Sequence, residues 1–407
     1  MPASSSATRT VVVGSSFAGY TAALELRRLL GEQHEVVVLD PKPYFTFIPS
    51  LIWVPFGGRE PGDVTFDLAP VYAKHGVRFI NEAVTSVDPT AQVVHTSGEQ
   101  ELHYDKLLLA TGPRLAFEEI PGLGPEEGYT ASVCNLDHAL DARNRWEAFL
   151  QNPGPVVVGT SQGGSCFGAS YEFLLNTRYQ LKKHGLLDRA PVTFVSSEPF
   201  LGHFGLGGVG GSQEKVEKYF DKLGIRGIAN SSIKEVRDGE IELASGEVLP
   251  QSFSMIVPPF TGVDAVRGDG PLSNARGFIP VTDEYRHPDL PNVFAAGVGI
   301  ALAPPEATAV PTGVPKTGYM SEHMAKIAAL NIAADIQGGA HKEVSVDELG
   351  AICMLDAGNS GIVFKTDRVL STKDAKAFTW AGPQGHWAKL AFEKYFMASR
   401  RRGLVRL

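Results

Sequence analysis

Cysteine is scarce: three thiols, Cys134, Cys166 and Cys353, stand in 407 residues. They are too few and too scattered for the disulfide framework of a secreted scaffold. None falls in a C-x-x-C pair, so neither a zinc site nor a thioredoxin-type motif is expected, and no metal is. Taken alone, isolated cysteines in a large chain read as small buried hydrophobes. An excess of positive charge is lacking as well. Lys and Arg number 37 against 45 Asp and Glu, a net charge of -8, which argues against a general nucleic-acid binder. No apolar run reaches the roughly 20 residues that span a bilayer, and "MPASSSATRT" has no apolar stretch of the signal-peptide kind. The expectation is a protein of the cytoplasm or of the cytoplasmic membrane face, without a transmembrane helix. The acidity is uneven, because residues 389–407 carry six basic side chains and one acidic one. That cluster reads as a solvated tail or as a membrane-surface contact.

Glycine (44) and proline (27) are plentiful, enough for many tight connections without reaching a disordered composition. The length suggests two or three domains with sizeable cores. In "RTVVVGSSFAGYTAALELRRLLGEQHEVVVLDPKPYF" a strand meets a Gly-rich turn, a helix with apolar residues at helical spacing, and a second strand. Gly14, Ser16 and Gly19 fill the G-x-G-x-x-G spacing of a dinucleotide-binding βαβ unit. The turn, with Phe17 and Ala18, opens the helix, whose free N–H groups and dipole favour a pyrophosphate. Asp40, followed by Pro41, stands where an acid takes a ribose hydroxyl. Ser16 replaces glycine but is small, and its hydroxyl can donate to phosphate.

"HYDKLLLATGPRL" ends a buried strand in the small-residue turn Ala110, Thr111, Gly112. "PVVVGTSQGGSCFGASYEFLLNTRYQLKKHG" then repeats the fingerprint with Gly159, Ser161 and Gly164, but places Cys166 at the start of the helix. A helix N-terminus lowers a thiol's pKa, so the position predicts a reactive thiolate. Later, "FAAGVGIALAPPEATAVPTGVPKTGYM" holds a strand, the turn Gly297–Val298, a Pro-rich loop, and a helix starting near Lys316. Beyond about residue 337 the elements are expected to be shorter and the aromatics more frequent.

Two dinucleotide units, an A-T-G turn and a late strand–turn–helix resemble the two-dinucleotide-binding-domain flavoproteins. The contexts "SVCNLDH", "GGSCFGASYE" and "AICMLDAG", with "YFTFIPS", "SEPFLGHFG", "PTGVPKTGYM" and "FEKYF", resemble the sulfide:quinone oxidoreductases. The resemblance implies an α/β fold of two Rossmann-like FAD/NAD(P)-binding domains, the second inserted in the first, plus a small C-terminal domain. The FAD domain would take residues 1–112 and 275–337, the second 113–274, and a quinone- and membrane-facing region 338–407. Two departures stand out. Val298 follows Gly297 where such flavoproteins usually carry Asp, and the paired C-x4-C of the disulfide reductases is absent.

The resemblance further implies sulfide and quinone as substrates, with FAD held by Gly313, Lys316, Thr317 and Gly318 in addition to the glycine-turn residues above. Cys166 and Cys353 would be a redox pair bridged directly or through extra sulfur, and Cys134 the third family cysteine. His138 and His203 would deprotonate sulfide or steady a sulfur anion. Glu172 would shuttle a proton, although six residues after Cys166 it misses same-face helical spacing and reads equally as a surface acid. Lys316 would stabilise negative charge on the reduced flavin. Phe47, Pro49 and Phe392 match quinone-pocket positions, and Trp53 and Phe396 add flat faces. Past "FEKYF" the family has a further amphipathic segment; here the sequence reaches Leu407, so membrane attachment is expected either to rest on the basic cluster with its Phe and Leu residues or to be weak. Oligomeric state is left open.

Three other readings compete. A type II NADH:quinone oxidoreductase would use the second fingerprint, with Glu198 as its ribose acid. The flavoprotein of a sulfide-oxidising flavocytochrome would normally carry an export signal. A flavoprotein without turnover would serve as a binding partner or sensor.

Overall fold

The computed structural model describes residues 7–208, 210–268, 270–368 and 376–405. Two parallel sheets organise the chain. The first runs Val293–Ala295, Lys106–Leu109, Arg9–Val13, Glu35–Leu39, Arg78–Ile80 in spatial order. Its strands are nearly unbroken Val and Leu runs because both faces are covered. One cover is a pair of helices, Phe17–Leu30 and Gly318–Gln337, which pack on one another through small residues such as Ala22, Ala325 and Ala328. The second sheet runs Ile225–Ile228, Val192–Ser196, Val156–Thr160, Phe253–Val257. It lies in sequence between Lys106–Leu109 and Val293–Ala295, which are neighbours in the first sheet. The second unit is therefore threaded into a gap in the first. Each unit also carries a three-stranded antiparallel meander, Val84–His103 and Ile233–Pro250.

The C-terminal unit differs from the expectation of short elements. Strands Ala351–Asp356, Gly361–Thr366 and Ala377–Gly382 form an antiparallel sheet, and helix Pro383–Arg400 is 18 residues long. The basic cluster is not a solvated tail either. Lys389 is buried against Glu172, and Arg400 is fully buried against both carboxylate oxygens of Glu322. The Tyr20 hydroxyl donates to the Arg400 carbonyl at 2.5 Å. Lys394, Arg401 and Arg402 remain exposed, with Arg401 donating to the Gly62 and Thr65 carbonyls. Removing one member of a buried pair costs about 3–5 kcal/mol, since the other charge is then stranded. These pairs bind the last helix to both dinucleotide units. No helix among the described residues is long and apolar enough to cross a membrane.

Candidate active site

The first glycine turn is shaped for a phosphate ligand. Gly14 holds φ +97°, and a Cβ there would lie 2.3 Å from the Ala110 carbonyl oxygen. A Cβ on Gly19 would lie 1.8 Å from the Gly14 carbonyl oxygen and 3.2 Å from the Ala110 Cβ. Turn, helix and A-T-G strand thus close on each other with no room for a side chain. Ser16 caps the helix, is exposed, and spends its hydroxyl on no capping bond. Asp40 accepts the Ser15 N–H at 2.6 Å and the Lys42 N–H at 2.8 Å, and burial pushes its carboxyl up. Pro41 beside it is exposed. The late segment joins the same cradle. A Cβ on Gly297 would stand 3.0 Å from the Ala18 Cβ, and one on Gly299 3.1 Å from the Thr111 hydroxyl. A Cβ on Gly318 would press the Phe17 ring at 2.8 Å. These residues fit an adenine-dinucleotide cofactor: a fitted backbone turn, an uncommitted hydroxyl and a nearby acid.

The second fingerprint is occupied by its own chain. Ser161 is fully buried and donates to the Val257 carbonyl at 3.0 Å. Gly163 N–H goes to the Pro311 carbonyl at 2.8 Å, and the Gly164 carbonyl accepts Gly313 N–H at 2.9 Å. Glu198, the expected ribose acid of an NADH site, is fully buried. It accepts Ser196 Oγ at 2.6 Å, Tyr171 OH at 3.0 Å and Phe204 N–H at 2.6 Å, and burial pushes its carboxyl to about 7. A carboxylate so engaged orders its own loop and is not presented to a ligand.

That turn delivers Cys166 as the N-cap of helix Phe167–Lys183. Cys353, in strand Ala351–Asp356, lies against the same helix end: its sulfur is 3.7 Å from where a Gly168 Cβ would sit. Cys166 interacts electrostatically with both Cys353 and Cys134, so the fold gathers all three cysteines, each a free thiol here. The expected lowering of the Cys166 pKa is not found. Its thiol does meet the Ala169 N–H, as a helix N-terminus predicts, and its side chain has open area. Crowding by surrounding protein outweighs that bond and pushes the thiol up. Burial pushes Cys134 and Cys353 to about 12. A thiol at about 12 is ionised in roughly one molecule in 10⁵ at pH 7. The site therefore needs a base.

Glu172 is placed to serve as one, and it is not a surface acid. It is buried, interacts with both Cys353 and Cys166, and is pushed to about 7, chiefly by desolvation. Cys166 precedes the helix proper, so the in-helix spacing rule did not govern this pair. Glu172 Oε1 accepts the Asp356 N–H at 2.7 Å and pairs with Lys389 Nζ. Asp356, fully buried, meets His386 Nδ1 at 2.6 Å and the Trp53 indole N–H at 2.9 Å. Sequence reasoning missed Asp356, His386 and the role of Lys389. No local signal marks them, because Lys389 and Glu172 are 217 residues apart.

The histidines separate. His138 is buried beside Cys134, and both bond Ser132 Oγ at 3.3 Å; burial pushes the imidazole down. His203 meets Glu306 at 2.9 Å through Nε2 and accepts Gly205 N–H at Nδ1, so it bonds no thiol. Its loop instead backs the site, because a Cβ on Gly205 would strike the Gly313 carbonyl oxygen at 2.5 Å and the Phe167 ring at 3.1 Å. Lys316 precedes the helix, which starts at Gly318 with Thr317 as its cap. Its ammonium donates to the Val298 and Ile300 carbonyls at 3.0 and 2.8 Å, and burial pushes it down to about 7. Val298, where the family usually has Asp, thus offers a carbonyl to a lysine.

From Phe17 an aromatic chain leads outward: Phe17–Phe47 at 6.2 Å, Phe47–Phe396 at 4.8 Å, Phe47–Phe392 at 6.1 Å between ring centroids. Phe47 is buried, Phe392 half-buried and Pro49 exposed. The helix carrying Phe392 also lines a groove of about 510 Å³ with Arg59, Leu390, Lys394 and Met397.

Residues 8–317 match the family described as pyridine nucleotide-disulphide oxidoreductase. The chain is 38% identical over 405 residues to the sulfide-quinone reductase of Aquifex aeolicus (strain VF5), covering 98% of this chain and 92% of that one. It is 25% identical over 313 residues to the mitochondrial sulfide:quinone oxidoreductase of Dictyostelium discoideum, covering 71% and 65% of the two chains. The X-ray structure of the sulfide:quinone oxidoreductase from Aquifex aeolicus superposes with a TM-score of 0.92 at 37% identity, over 98% of this chain and 92% of that one.

Proposed function

Because the chain belongs to the sulfide-quinone reductases of the pyridine nucleotide-disulphide oxidoreductase family, we propose that it oxidises sulfide at Cys166 and Cys353 and delivers the electrons to a quinone. The observation that carries this reading is the convergence of three cysteines and one buried acid at the end of a single helix. FAD, when bound in the Gly14–Gly19 cradle, supplies a two-electron acceptor that gives the pair on to quinone.

Oxidation of the Cys166 and Cys353 thiols, whose two electrons bound FAD would accept, gives a sulfur–sulfur bridge; hydrosulfide attacks it, leaving a persulfide on one and a thiolate on the other. Re-forming the bridge with the added sulfur releases two electrons and the persulfide proton. Repeated turns lengthen the sulfur chain, which leaves as polysulfide. Glu172 takes protons from sulfide, from the persulfide and from the Cys353 and Cys166 thiols, which burial keeps protonated. His138 and Ser132 orient Cys134 at the edge of the cluster as a sulfur acceptor. Because Glu172 must be ionised to act, the sulfide-driven rate is expected to fall as pH drops through about 7. Stopped-flow rates between pH 5 and 9 would show this; a flat profile would remove Glu172 from the role.

Lys316, pushed down to about 7 by burial, would hold a proton more firmly once negative charge develops on a reduced flavin near it, and no carboxylate is among the partners named above. Lys316→Met is expected to lower the flavin's reduction potential, by about 30 mV for each 1.4 kcal/mol of charge stabilisation lost. Spectroelectrochemical titration checks it, and an unchanged potential would assign Lys316 to structure alone.

The quinone ring is taken along Phe47, Phe392 and Pro49. Phe378, Trp380, Trp387 and Tyr395 of the C-terminal unit are exposed, as is Ile48. Exposed Trp and Tyr suit the headgroup layer of a membrane, where one ring edge stays wet. We place the membrane-facing surface there, with the exposed Lys394, Arg401 and Arg402 adding attraction to anionic lipid.

The deciding experiment is anaerobic. Sulfide added to the purified yellow protein is expected to bleach the flavin absorbance, and a soluble quinone to restore it. NADH is expected to leave the colour unchanged, because the second fingerprint is filled by Pro311–Gly313 and Glu198 faces inward. Bleaching by NADH and not by sulfide would turn the assignment to the NADH-dependent reading.

A further inference from the structure

We infer that His386 governs the protonation of Glu172, the two sharing one proton across Asp356. The inference rests on the sulfide-oxidising reading above, but its central test does not.

Asp356 joins the two groups. Its backbone N–H is held by Glu172 Oε1 at 2.7 Å, and its carboxylate by His386 Nδ1 at 2.6 Å. Lys389 completes the set, pairing with Glu172 from the same helix as His386 and three residues beyond it, so the two side chains share one helix face. Three of the four groups are buried: Glu172, Asp356 and Lys389. His386 alone reaches water, with 22% of its side chain exposed. The indole of Trp53 seals the interior side, donating to Asp356 Oδ2 at 2.9 Å while Lys389 Nζ lies 4.8 Å from its ring centroid. Across that ring Arg59 pairs with Glu393. The other titratable groups facing Glu172 are the Cys166 and Cys353 thiols.

The charge count makes the exchange specific. Two carboxylates against one ammonium leave the buried set one positive charge short of neutral. Net charge in a poorly solvated interior is costly, so the set holds one further proton, on Glu172 or on His386. The two sites compete. When Glu172 accepts a proton from sulfide, the set no longer favours a proton on His386, which releases it to water. When His386 takes a proton from water, Glu172 is held ionised and ready. In that return step Glu172 gives its own proton to water at the Cys166 end of the site, where that side chain is exposed, so the buried charge is constant throughout. No covalent bond to the imidazole is needed, and His386 acts through Asp356 as a positioning residue.

The test follows the histidine signals by NMR with 13C-histidine-labelled holoprotein, assigning His386 by the signal lost in His386→Gln. Replacing Glu172 with Gln removes one of the two carboxylates, and the His386 pKa is expected to fall by about one unit or more, the mark of coupled titration. Identical His386 titrations in wild type and Glu172→Gln would overturn the inference, whatever sulfide does. His386→Gln gives the complementary measurement. Without its competitor Glu172 binds its proton more tightly, so the pH of half-maximal sulfide-driven flavin reduction is expected to rise by about one unit. An unmoved midpoint with a lowered rate would mean that His386 only packs, and would overturn the inference as well. If sulfide fails to reduce the flavin at all while the NMR coupling is present, the sulfide reading falls and the coupling stands.

Discussion

Cys353→Ser is expected to slow sulfide-driven reduction of the flavin by about three orders of magnitude or more, and Cys166→Ser to do the same. Serine keeps the volume but cannot form a bridge to sulfur, so hydrosulfide finds nothing to attack. The two residues act as one unit. The double variant is therefore expected to be no slower than either single one, because groups that work together do not add. Each variant should remain yellow, since neither cysteine belongs to the glycine cradle that fits the dinucleotide. Stopped-flow absorbance after anaerobic mixing with sulfide reads the rate, and the ratio of flavin to protein absorbance reads loading. Wild-type rates in either variant would make the thiols packing residues and the protein a flavoprotein with another donor. Loss of colour would instead show that the cysteines hold the site together.

Gly19→Ala is expected to abolish flavin binding. The new methyl would stand 1.8 Å from the Gly14 carbonyl oxygen, a backbone atom that cannot swing aside. Either the helix Phe17–Leu30 lifts from the turn or Gly14 leaves its position against Ala110. Both outcomes dismantle the place where the helix N–H groups meet phosphate. Purified Gly19→Ala protein should be colourless, with a lowered melting temperature that added FAD does not restore. A yellow, FAD-saturated variant would move the cofactor away from this turn. Ala at Gly112 makes a useful comparison: a Cβ there meets nothing within 4 Å, although φ is +70°. Its penalty is conformational and should be far smaller.

These two variants also show what the sequence could reveal. The first cradle was legible because strand, turn, helix and acid lie within one short span, and each imposes a local pattern. The A-T-G turn and the late Gly297 turn could be seen as pieces, but their meeting at Ala18 and Thr111 is a product of the fold. The sulfur site was readable only through resemblance, since Cys166 and Cys353 come from a helix start and a distant strand. Where a local rule was applied to it, the rule misled. The helix N-terminus was expected to acidify Cys166, and desolvation reversed the sign. Glu172 was judged by spacing within its helix, whereas its partners arrive from the C-terminal sheet and helix. The basic cluster reads as a solvated tail or a membrane-surface contact because charge in a sequence carries no sign of burial. In the competing NADH reading Glu198 is the ribose acid by its place after a strand, and its bond from the Tyr171 hydroxyl in the interior has no local sign in the sequence.

The clamp made by Lys389 and Arg400 bears on how the protein is made. Their partners, Glu172 and Glu322, are synthesised earlier and wait as carboxylates that the finished fold will enclose. A nascent chain that has not yet exposed residue 389 cannot close the sulfur site without stranding a charge. One that has not exposed residue 400 cannot seat the helix Gly318–Gln337 at full stability. N-terminal units ordinarily settle first during translation. Here the first one stays unfinished, because its own last strand and helix follow the inserted unit. A chain released before residue 389 would thus leave Glu172 and Glu322 without the cations that the finished fold sets against them.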